Sequence, residues 1–308
     1  GHIITEEDIP VLLSVGKDHI YIWENNENML HENDAAKILY DMCANEHMTP
    51  SEIKEGKIEL IAECDGLLKV DTERLNAVNA LGEMMIACRH GNFPVKKGDK
   101  IAGTRIIPLI IEKEKMERAK KAAGEEPIFE LIPFKKMKAA IVNTGNEVFY
   151  GRIKDTFTPV VIEKLESYGA EIQGQILCDD DMEKITKAIL KLKEEGADMI
   201  VCTGGMSVDP DDKTPGAIKN TGARIVSYGA PVLPGAMFLL SYLEDGTPVM
   251  GLPGCVMYAK ATVFDLVLPR IIAGIEVTKK DLAHMGNGGF CLGCKECHYP
   301  NCSFGKGV

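Results

Sequence analysis

In the second half of the chain, short apolar runs alternate with amphipathic stretches, and this alternation limits the possible folds more than any other feature. The runs at 138–145 and 197–205 have the composition of buried strands, and each ends in glycine. The stretches at 156–172 and 179–196 carry apolar residues at helical spacing. Repeated strand–helix units favour a parallel sheet with helices on both faces. We therefore predict a three-layer α/β domain over residues 135–275.

The same pattern predicts the remaining elements of this domain. We expect a strand at 171–178, a short helix at 214–221, a strand at 223–229, a strand around 247–251 and a long helix at 256–273. In sheets of this kind, ligands bind at the carboxyl ends of the strands. The loops that follow the strands should therefore carry the chemistry.

Residues 1–134 show a different sequence pattern, in which short strands and turns are mixed with helical stretches. We predict strands at 19–24 and 101–112, a strand–turn–strand over 93–103, helices at 33–44 and 71–87, and a charged surface helix or linker at 112–127. The helix at 33–44 should bury one face formed by Ala36, Leu39, Tyr40 and Cys43. These elements indicate a mixed α+β N-terminal domain that ends near residue 134.

Composition excludes several classes of partner. The 308 residues carry a net charge of −11, which argues against a broad nucleic-acid-binding surface or an anionic-membrane surface. No apolar run reaches the roughly 18 residues of a membrane-spanning helix, and no secretory signal is visible, so we expect a cytoplasmic protein. A small anionic ligand is compatible with this charge, because a few backbone N–H groups can hold a phosphate locally. Since the chain begins at Gly1 rather than methionine, we expect a fragment or a processed form.

Three strand-to-helix loops share one style, with glycines directly after the strand. They are "NTGNEVFYGRIKD" (143–155), "TGGMSVDPDD" (203–212) and "GLPGCVMY" (251–258). Glycine lets backbone N–H groups approach a phosphate or a pterin without interference from a side chain. One such loop would indicate only a turn, but three at successive ends of one sheet indicate a binding site.

The motifs in these loops resemble a known family. "TGNEV", "CTGGMSVDPDDKTPGAI", "APVLPG" and "PVMGLPGCVMYAKATVFDLVLPRI" occur in order over about 140–272. Together they resemble the molybdopterin-binding domain shared by MoeA, MogA, gephyrin and the CinA N-terminal domain. The upstream region is more similar to MoeA than to the single-domain MogA type. The resemblance implies molybdenum cofactor biosynthesis, a homodimer, molybdopterin or its adenylate as the ligand, and Mg²⁺-assisted insertion of molybdenum from molybdate.

The resemblance also implies roles for individual residues. Gly204 and Gly205 would lie against the phosphate of the ligand, and Ser207 would donate a hydrogen bond to a phosphate oxygen. Asp212 and Asp155 match the acidic positions of the family and would be the catalytic, Mg²⁺-holding carboxylates. The remaining cofactor-binding positions would be Gly145, Glu147, Gly251, Pro253 and Gly254.

Carboxylates beside a phosphate loop make physical sense when a divalent cation lies between them. Mg²⁺ prefers one or two carboxylates together with phosphate oxygens of the ligand. The alternative is that Asp209 and Asp211 form turns and that Asp212 caps the helix at 214–221.

Two departures from the family pattern keep other functions open. Asp211 stands where MogA-like proteins have arginine, and Cys255 stands where MoeA-like proteins have asparagine. These departures favour the alternative of a non-catalytic cofactor carrier or maturation factor for a molybdoenzyme. A CinA-like hydrolase acting on a nucleotide phosphoanhydride is a third reading.

The ten cysteines fall into two groups. Six are scattered through mostly apolar stretches and are expected to be buried, reduced thiols: Cys43, Cys64, Cys88, Cys178, Cys202 and Cys255. The other four, Cys291, Cys294, Cys297 and Cys302, form a C-x2-C-x2-C-x4-C array in a Cys-rich tail over 276–308. Such an array predicts Zn²⁺ or an iron–sulfur cluster. It could deliver the cofactor to an acceptor enzyme or respond to redox state. The alternative is a flexible tail with reduced thiols.

Overall fold

The computed structural model describes residues 4–20, 26–207, 209 and 212–307. Most of the predicted strand at 19–24 lies outside these residues. Asp211 also lies outside them.

As far as it is described, the N-terminal region is built from small antiparallel sheets and four α-helices. Its helices are α1 (Ile9–Ser14), α2 (Glu32–Asp41), α3 (Thr72–Asn79) and α4 (Lys113–Ala123), with a 3₁₀ turn at Glu6–Asp8. Its strands are β1 (Met29–His31), β2 (Met48–Pro50), β3 (Lys57–Ala62), β4 (Gly66–Val70), β5 (Met84–Cys88), β6 (Phe93–Val95), β7 (Lys100–Ile106), β8 (Ile110–Glu112) and β9 (Phe129–Pro133). They form the sheets β2-β3-β7-β5 and β6-β4-β9 and the pair β1-β8. The predicted mixed α+β character is confirmed.

The apolar pattern placed α2 correctly. Ala36, Leu39 and Cys43 are fully buried in the core of this region, as the helical spacing predicts. Tyr40 lies at the edge of that core, and its hydroxyl donates a hydrogen bond of 3.0 Å to the carbonyl of Met48. The charged stretch after residue 112 forms α4, which buries Met116, Ala119 and Ala123 on one face while its charged residues face solvent. This helix therefore packs on the core rather than serving as a free linker.

The predicted helix at 71–87 is wrong in its second half. Asp71 accepts a hydrogen bond from the backbone N–H of Arg74 and starts α3, but the helix ends at Asn79. Gly82 and Glu83 both adopt positive φ angles, 71° and 61°, which no α-helix accommodates. The apolar residues beyond this turn form β5, which pairs with β7. A run such as Met84–Cys88 fits either period when it is read from sequence alone.

The second region contains one six-stranded sheet. Its strands are β10 (Lys138–Thr144), β11 (Glu171–Cys178), β12 (Met199–Thr203), β13 (Arg224–Tyr228), β14 (Leu239–Tyr242) and β15 (Pro248–Leu252). Its helices are α5 (Asn146–Phe149), α6 (Phe157–Glu166), α7 (Met182–Glu194), α8 (Thr214–Asn220) and α9 (Val263–Ile272), followed by α10 (Lys279–His284). The strand order is β11-β10-β12-β15-β14-β13. The first four strands of this order are parallel, as predicted, and β14 is antiparallel to both of its neighbours.

Two details of this region differ from prediction. Strand β14 was not anticipated, because its four residues follow a Pro/Gly loop without a clear period of their own. The long helix predicted over 256–273 is shorter: a 3₁₀ turn spans Gly254–Met257, and α9 begins only at Val263. Thr262 caps α9, accepting from the N–H of Phe264, while Asp265 accepts from the N–H of Thr262. That capping pattern fixes the start of the helix.

Alternating side chains along the strands create the three layers. Ile141, Val201 and Met250 pack against α6 and α9 on one face of the sheet. Val142, Cys202 and Val249 pack against α7 and α8 on the other face. The Cys-rich tail joins the first of these layers, where Phe304 is 2% exposed.

Among the six scattered cysteines, Cys43, Cys178 and Cys202 are buried, and the other three are partly exposed. Burial raises the pKa of the Cys43 thiol to about 12, so this thiol stays protonated at neutral pH. No helix within the described residues is long and apolar enough to span a membrane.

Candidate functional site

Three neighbouring parallel strands bring the glycine loops to one edge of the sheet. Strand β10 pairs with β12 so that Asn143 lies opposite Thr203, and β12 pairs with β15 so that Thr203 lies opposite Leu252. The three loops therefore start side by side, as the sequence predicted. We call them the first (143–155), second (203–212) and third (251–258) loops.

Buried hydroxyl and amide groups join the first loop to the second. The hydroxyls of Thr144 and Thr214 lie 3.1 Å apart, and Thr214 also donates to the carbonyl of Gly204 at 2.8 Å. Thr203 donates to the side-chain carbonyl of Asn143 at 3.1 Å. These side chains are buried and hydrogen-bonded, so they hold the two loops in a fixed relation.

The Gly204–Gly205 pair is explained by this close packing. Both residues have positive φ angles, 84° and 54°. A Cβ atom at Gly204 would overlap the carbonyl oxygen of Thr144, and one at Gly205 would lie 2.9 Å from the hydroxyl of Thr214. The pair therefore lets the second loop pass directly against the first.

Asp155 ends the first loop, and its carboxylate is fully engaged. One oxygen accepts from the backbone N–H groups of Phe157 at 2.9 Å and Thr158 at 3.0 Å. The other oxygen accepts from the side-chain amide of Asn143 at 2.6 Å. Burial alone would raise the pKa of Asp155, but the hydrogen bonds from Thr158, Phe157 and Asn143 outweigh it and lower the pKa below its usual value. Asp155 thus stabilises the start of α6.

Asp212 lies at the end of the second loop in a more open setting. It is partly exposed, and within the described residues its carboxylate accepts one hydrogen bond, of 3.3 Å, from the N–H of Asp209. The N–H of Asp212 donates back to the carbonyl of Asp209 at 3.0 Å, so the two aspartates contact each other through both backbone and side chain. The alternative role for Asp212 as the cap of α8 is not what the structure shows, because the N-cap residue of that helix is Lys213.

The third loop contributes an open glycine. A Cβ atom at Gly254 would meet nothing within 4 Å, whereas one at Gly251 would collide with Met206. Pro253 is the N-cap of the 3₁₀ turn that contains Cys255, whose pKa is raised by burial.

The remaining predicted positions lie at the same edge. Gly145 has a φ of 135° and precedes the short helix α5, in which Glu147 is exposed. Ser207 is exposed as well, and its carbonyl accepts a hydrogen bond of 3.1 Å from the hydroxyl of Tyr228. Tyr228 therefore holds the backbone of the loop that carries the hydroxyl of Ser207.

Two contributors to this edge were missed by the sequence reasoning. Tyr228 ends β13, and its hydroxyl also donates to the carbonyl of Met206 at 3.1 Å. The pKa of Tyr228 is raised, mainly by burial and to a smaller extent by the negative charge of Asp212. Asp180 follows β11 and accepts from the N–H of Asn146 at 2.9 Å, which ties the first loop to the fourth parallel strand. The acidic triplet at 179–181 opens the stretch predicted as a helix at 179–196, and its position after a parallel strand already pointed to this edge.

The described residues do not form a metal site by protein side chains alone. No group of three or more His, Cys, Asp or Glu side chains placed to hold a metal ion occurs in the described part of the chain, and this includes the four tail cysteines. Mg²⁺ does not need such a group, since it takes one or two carboxylates plus ligand phosphates and water. By that criterion, Asp212 fits as a partial ligand and Asp155 does not.

Comparison with known proteins agrees with this geometry. Residues 140–273 match the family model described as a probable molybdopterin binding domain. The α/β domain belongs to this family. The match begins two residues after the start of β10 and includes all three loops. A second model, described as a domain of unknown function, matches residues 1–24.

Individual relatives cover parts of the chain. The molybdopterin molybdenumtransferase of Synechococcus elongatus is 23% identical over 180 residues, which are 56% of this chain and 42% of the relative. A CinA-like protein of Mycobacterium avium is 35% identical over 77 residues, 25% of this chain and 18% of the relative. The alignments thus span less than half the length of these curated relatives. The solved structure of the tungsten cofactor synthesizing protein MoaB from Pyrococcus furiosus is 21% identical and covers 44% of this chain and 92% of that one, with a TM-score of 0.37.

Proposed function

We propose that the chain acts in molybdenum cofactor biosynthesis by binding molybdopterin or its adenylate and inserting molybdenum with the help of Mg²⁺. The observation that carries this proposal is the junction of three glycine loops at one sheet edge within a domain of the molybdopterin-binding family. The pterin ligand and molybdate are then the small-molecule partners. From the same family resemblance, we propose a homodimer, a cytoplasmic location and an acceptor molybdoenzyme as a further partner.

In this proposal the loops divide the work of binding. The exposed hydroxyl of Ser207 donates to a phosphate oxygen, while Gly204 and Gly205 keep the second loop close to the first. Gly254 leaves open space at the third loop for the ligand to approach the backbone. We assign the pterin contact of the first loop to Glu147, one of its exposed polar side chains. Each of these contacts orients the ligand without a rearrangement of the sheet.

Asp212 is the residue that would hold Mg²⁺ against the phosphates. Its carboxylate accepts one long hydrogen bond within the described residues, so acceptor capacity is left for a cation. Mg²⁺ bound there would neutralise phosphate charge and polarise the phosphoanhydride of the adenylate. The sequence proposed Asp155 as a second ligand, but a cation there would compete with backbone N–H groups of α6 for one carboxylate oxygen and with the side-chain amide of Asn143 for the other. We therefore propose Asp212 without Asp155 as the Mg²⁺ carboxylate.

The engagement of Asp155 also favours the second candidate function, a non-catalytic carrier of the cofactor. Because both oxygens of Asp155 already accept hydrogen bonds, only Asp212 of the two predicted carboxylates is left to hold a cation for turnover. A carrier needs only the glycine loops and the open space at Gly254.

Turnover separates the two functions. The full chain is incubated with adenylated molybdopterin, Mg²⁺ and molybdate, and release of AMP is followed alongside ligand binding. Molybdate-dependent AMP release that disappears in Asp212→Asn supports the insertase. Tight binding without AMP release supports the carrier, and the absence of binding would refute both.

A further inference from the structure

The C-terminal segment that contains the four-cysteine array has a cavity of its own. Cys291, Cys294, Cys297 and Cys302 all line one space of about 660 Å³. Four cysteines that line a single cavity are not scattered core residues, and the cavity is roomy enough for a metal centre. No part of the molybdopterin-binding proposal uses these residues.

Both ends of this cysteine segment (291–302) are fixed to the α/β domain. At its start, the N–H of Cys291 donates to the carbonyl of Leu233 at 2.8 Å, and the N–H of Leu233 donates to the carbonyl of Gly289 at 2.8 Å. At its end, the hydroxyl of Tyr299 donates to the carbonyl of Asp265 in α9 at 2.9 Å. Cys291 and Cys302 pack against the apolar core near these anchors. The array is therefore docked at both ends.

The middle of the cysteine segment is held by much less. Residues 292–298 are exposed and form neither helix nor strand. Among the described residues, no backbone–backbone hydrogen bond involves residues 292–297. Leu292 is 74% exposed, although nothing in its own chemistry favours contact with water. A loop that is anchored at both ends and unsupported between them has conformational freedom that a cross-link would remove.

The charges around the cavity suit a thiolate centre. Lys260 and Lys295 line the cavity together with Glu296 and His298. Four thiolates around a metal centre carry a net negative charge, which the two lysines offset in a chain that is otherwise acidic.

We propose that the four thiolates of the cysteine segment ligate one thiophilic metal centre, either a tetrahedral Zn²⁺ or an iron–sulfur cluster. In the structure as described, no three of these side chains are placed to hold a metal. Binding therefore requires the exposed thiols of Cys294 and Cys297 to turn into the cavity toward the anchored Cys291 and Cys302. The unsupported middle of the segment allows this movement, since no backbone hydrogen bond has to break. Each ligating thiol releases its proton, so binding weakens as the pH falls.

The cavity also borders the third loop. Tyr258, the last residue of that loop, and Lys260 line the cavity. Met257, also in the third loop, accepts a hydrogen bond of 3.0 Å from the hydroxyl of Thr156 beside the first loop. The metal centre therefore lies next to the proposed pterin site, but its own binding does not depend on a pterin.

The test measures metal content and closure of the segment in the full chain. Protein produced with iron and zinc available and purified without oxygen is expected to hold about one zinc, or about four irons with four sulfides, per chain. Zinc alone identifies the tetrahedral form, and iron with sulfide and a broad visible absorption identifies the cluster. Trypsin cleavage after Lys295, between Cys294 and Cys297, should be at least about tenfold slower in the loaded protein than after chelation, because the cross-linked segment opens less often.

Matched variants make the result decisive. Cys294→Ser and Cys297→Ser replace exposed cysteines that are not part of the apolar core, so the fold should persist while bound metal is lost. Cys64→Ser, a partly exposed cysteine in the N-terminal region, should retain the metal. Less than about a tenth of an equivalent of zinc or iron in the full chain would overturn the proposal. So would undiminished metal in both Cys294→Ser and Cys297→Ser. Pterin binding is not measured in any arm, so failure here leaves the molybdopterin proposal intact.

Discussion

Asp155 in the first loop and Asp212 in the second follow adjacent parallel strands, yet their surroundings differ. The carboxylate of Asp155 accepts three hydrogen bonds of 2.6–3.0 Å from Asn143, Phe157 and Thr158. The carboxylate of Asp212 accepts one of 3.3 Å from Asp209 among the described residues. The first aspartate is thus committed to the fold, while the second keeps capacity for a ligand. An aspartate that follows a strand can either stabilise the fold or bind a ligand, and only its hydrogen-bond partners distinguish the two roles.

The largest expected effect comes from breaking the packing that the two loops share. In Gly204→Ala, the new methyl group would collide with the carbonyl of Thr144 at a backbone angle that alanine disfavours. We expect a loss of about 3 kcal/mol in the free energy of unfolding, from left-handed strain and overpacking together. Urea unfolding measures it. Gly254→Ala is the matched control: its methyl group meets open space, so a comparable loss there would show that the effect is not specific to the junction.

The next effect separates the two aspartates directly. Asp155→Ala leaves the N–H groups at the start of α6 and the amide of Asn143 without their acceptor. We expect a loss of about 2 kcal/mol in unfolding free energy. Thermal or urea unfolding of the variant checks it. A change below about 0.5 kcal/mol would mean that Asp155 is not a structural residue.

The pH dependence of the free energy of unfolding should also show the structural contribution of Asp155. Because the folded-state pKa of Asp155 is lowered, its contribution is fully present above the unfolded value of about 3.9 and is lost as the pH falls through the folded value. The stability difference between the wild type and Asp155→Asn should therefore be constant near neutral pH and narrow under acid conditions. Unfolding curves across that range test this. A difference that widens toward low pH would contradict the direction of the shift.

The smallest effect on stability is expected for Asp212→Ala. One long hydrogen bond in a partly exposed turn is lost, so the free energy of unfolding should change by less than about 0.5 kcal/mol. Urea unfolding of this variant and of Asp155→Ala under identical conditions measures how much the two aspartates differ in their contribution to stability. Equal losses in the two variants would remove the distinction between the loops.

The sequence predicted much of the α/β domain because its strands are apolar on both faces. Strands such as β10 and β12 alternate with helices whose apolar spacing is clear, so the parallel arrangement of the strands and the edge that carries the site could be predicted. Short elements were less predictable: β14 has four residues, and the run that forms β5 fits a helix as well as a strand. The end of α3 depends on two residues at positive φ, and one of them, Glu83, gives no sign of this in sequence.

The roles of individual site residues were harder to predict than their location. Gly204 and Gly205 were interpreted as an approach path for phosphate, but the contacts with Thr144 and Thr214 explain the pair independently of a ligand. Asp155 matched a functional position of the family, while its hydrogen bonds give it a structural task. These roles depend on backbone geometry and on partners distant in sequence, such as Thr144 for Gly204 and Asn143 for Asp155, which a linear pattern does not contain.

The central claim is that this sheet edge binds molybdopterin with Asp212, and not Asp155, facing the divalent cation. The most direct test is anaerobic titration of molybdopterin into the wild type, Asp212→Asn and Asp155→Asn, each with and without Mg²⁺. The account predicts that Mg²⁺ tightens binding to the wild type and to folded Asp155→Asn but has little effect on Asp212→Asn. An unchanged Mg²⁺ effect in Asp212→Asn, or no binding to the wild type, would contradict it.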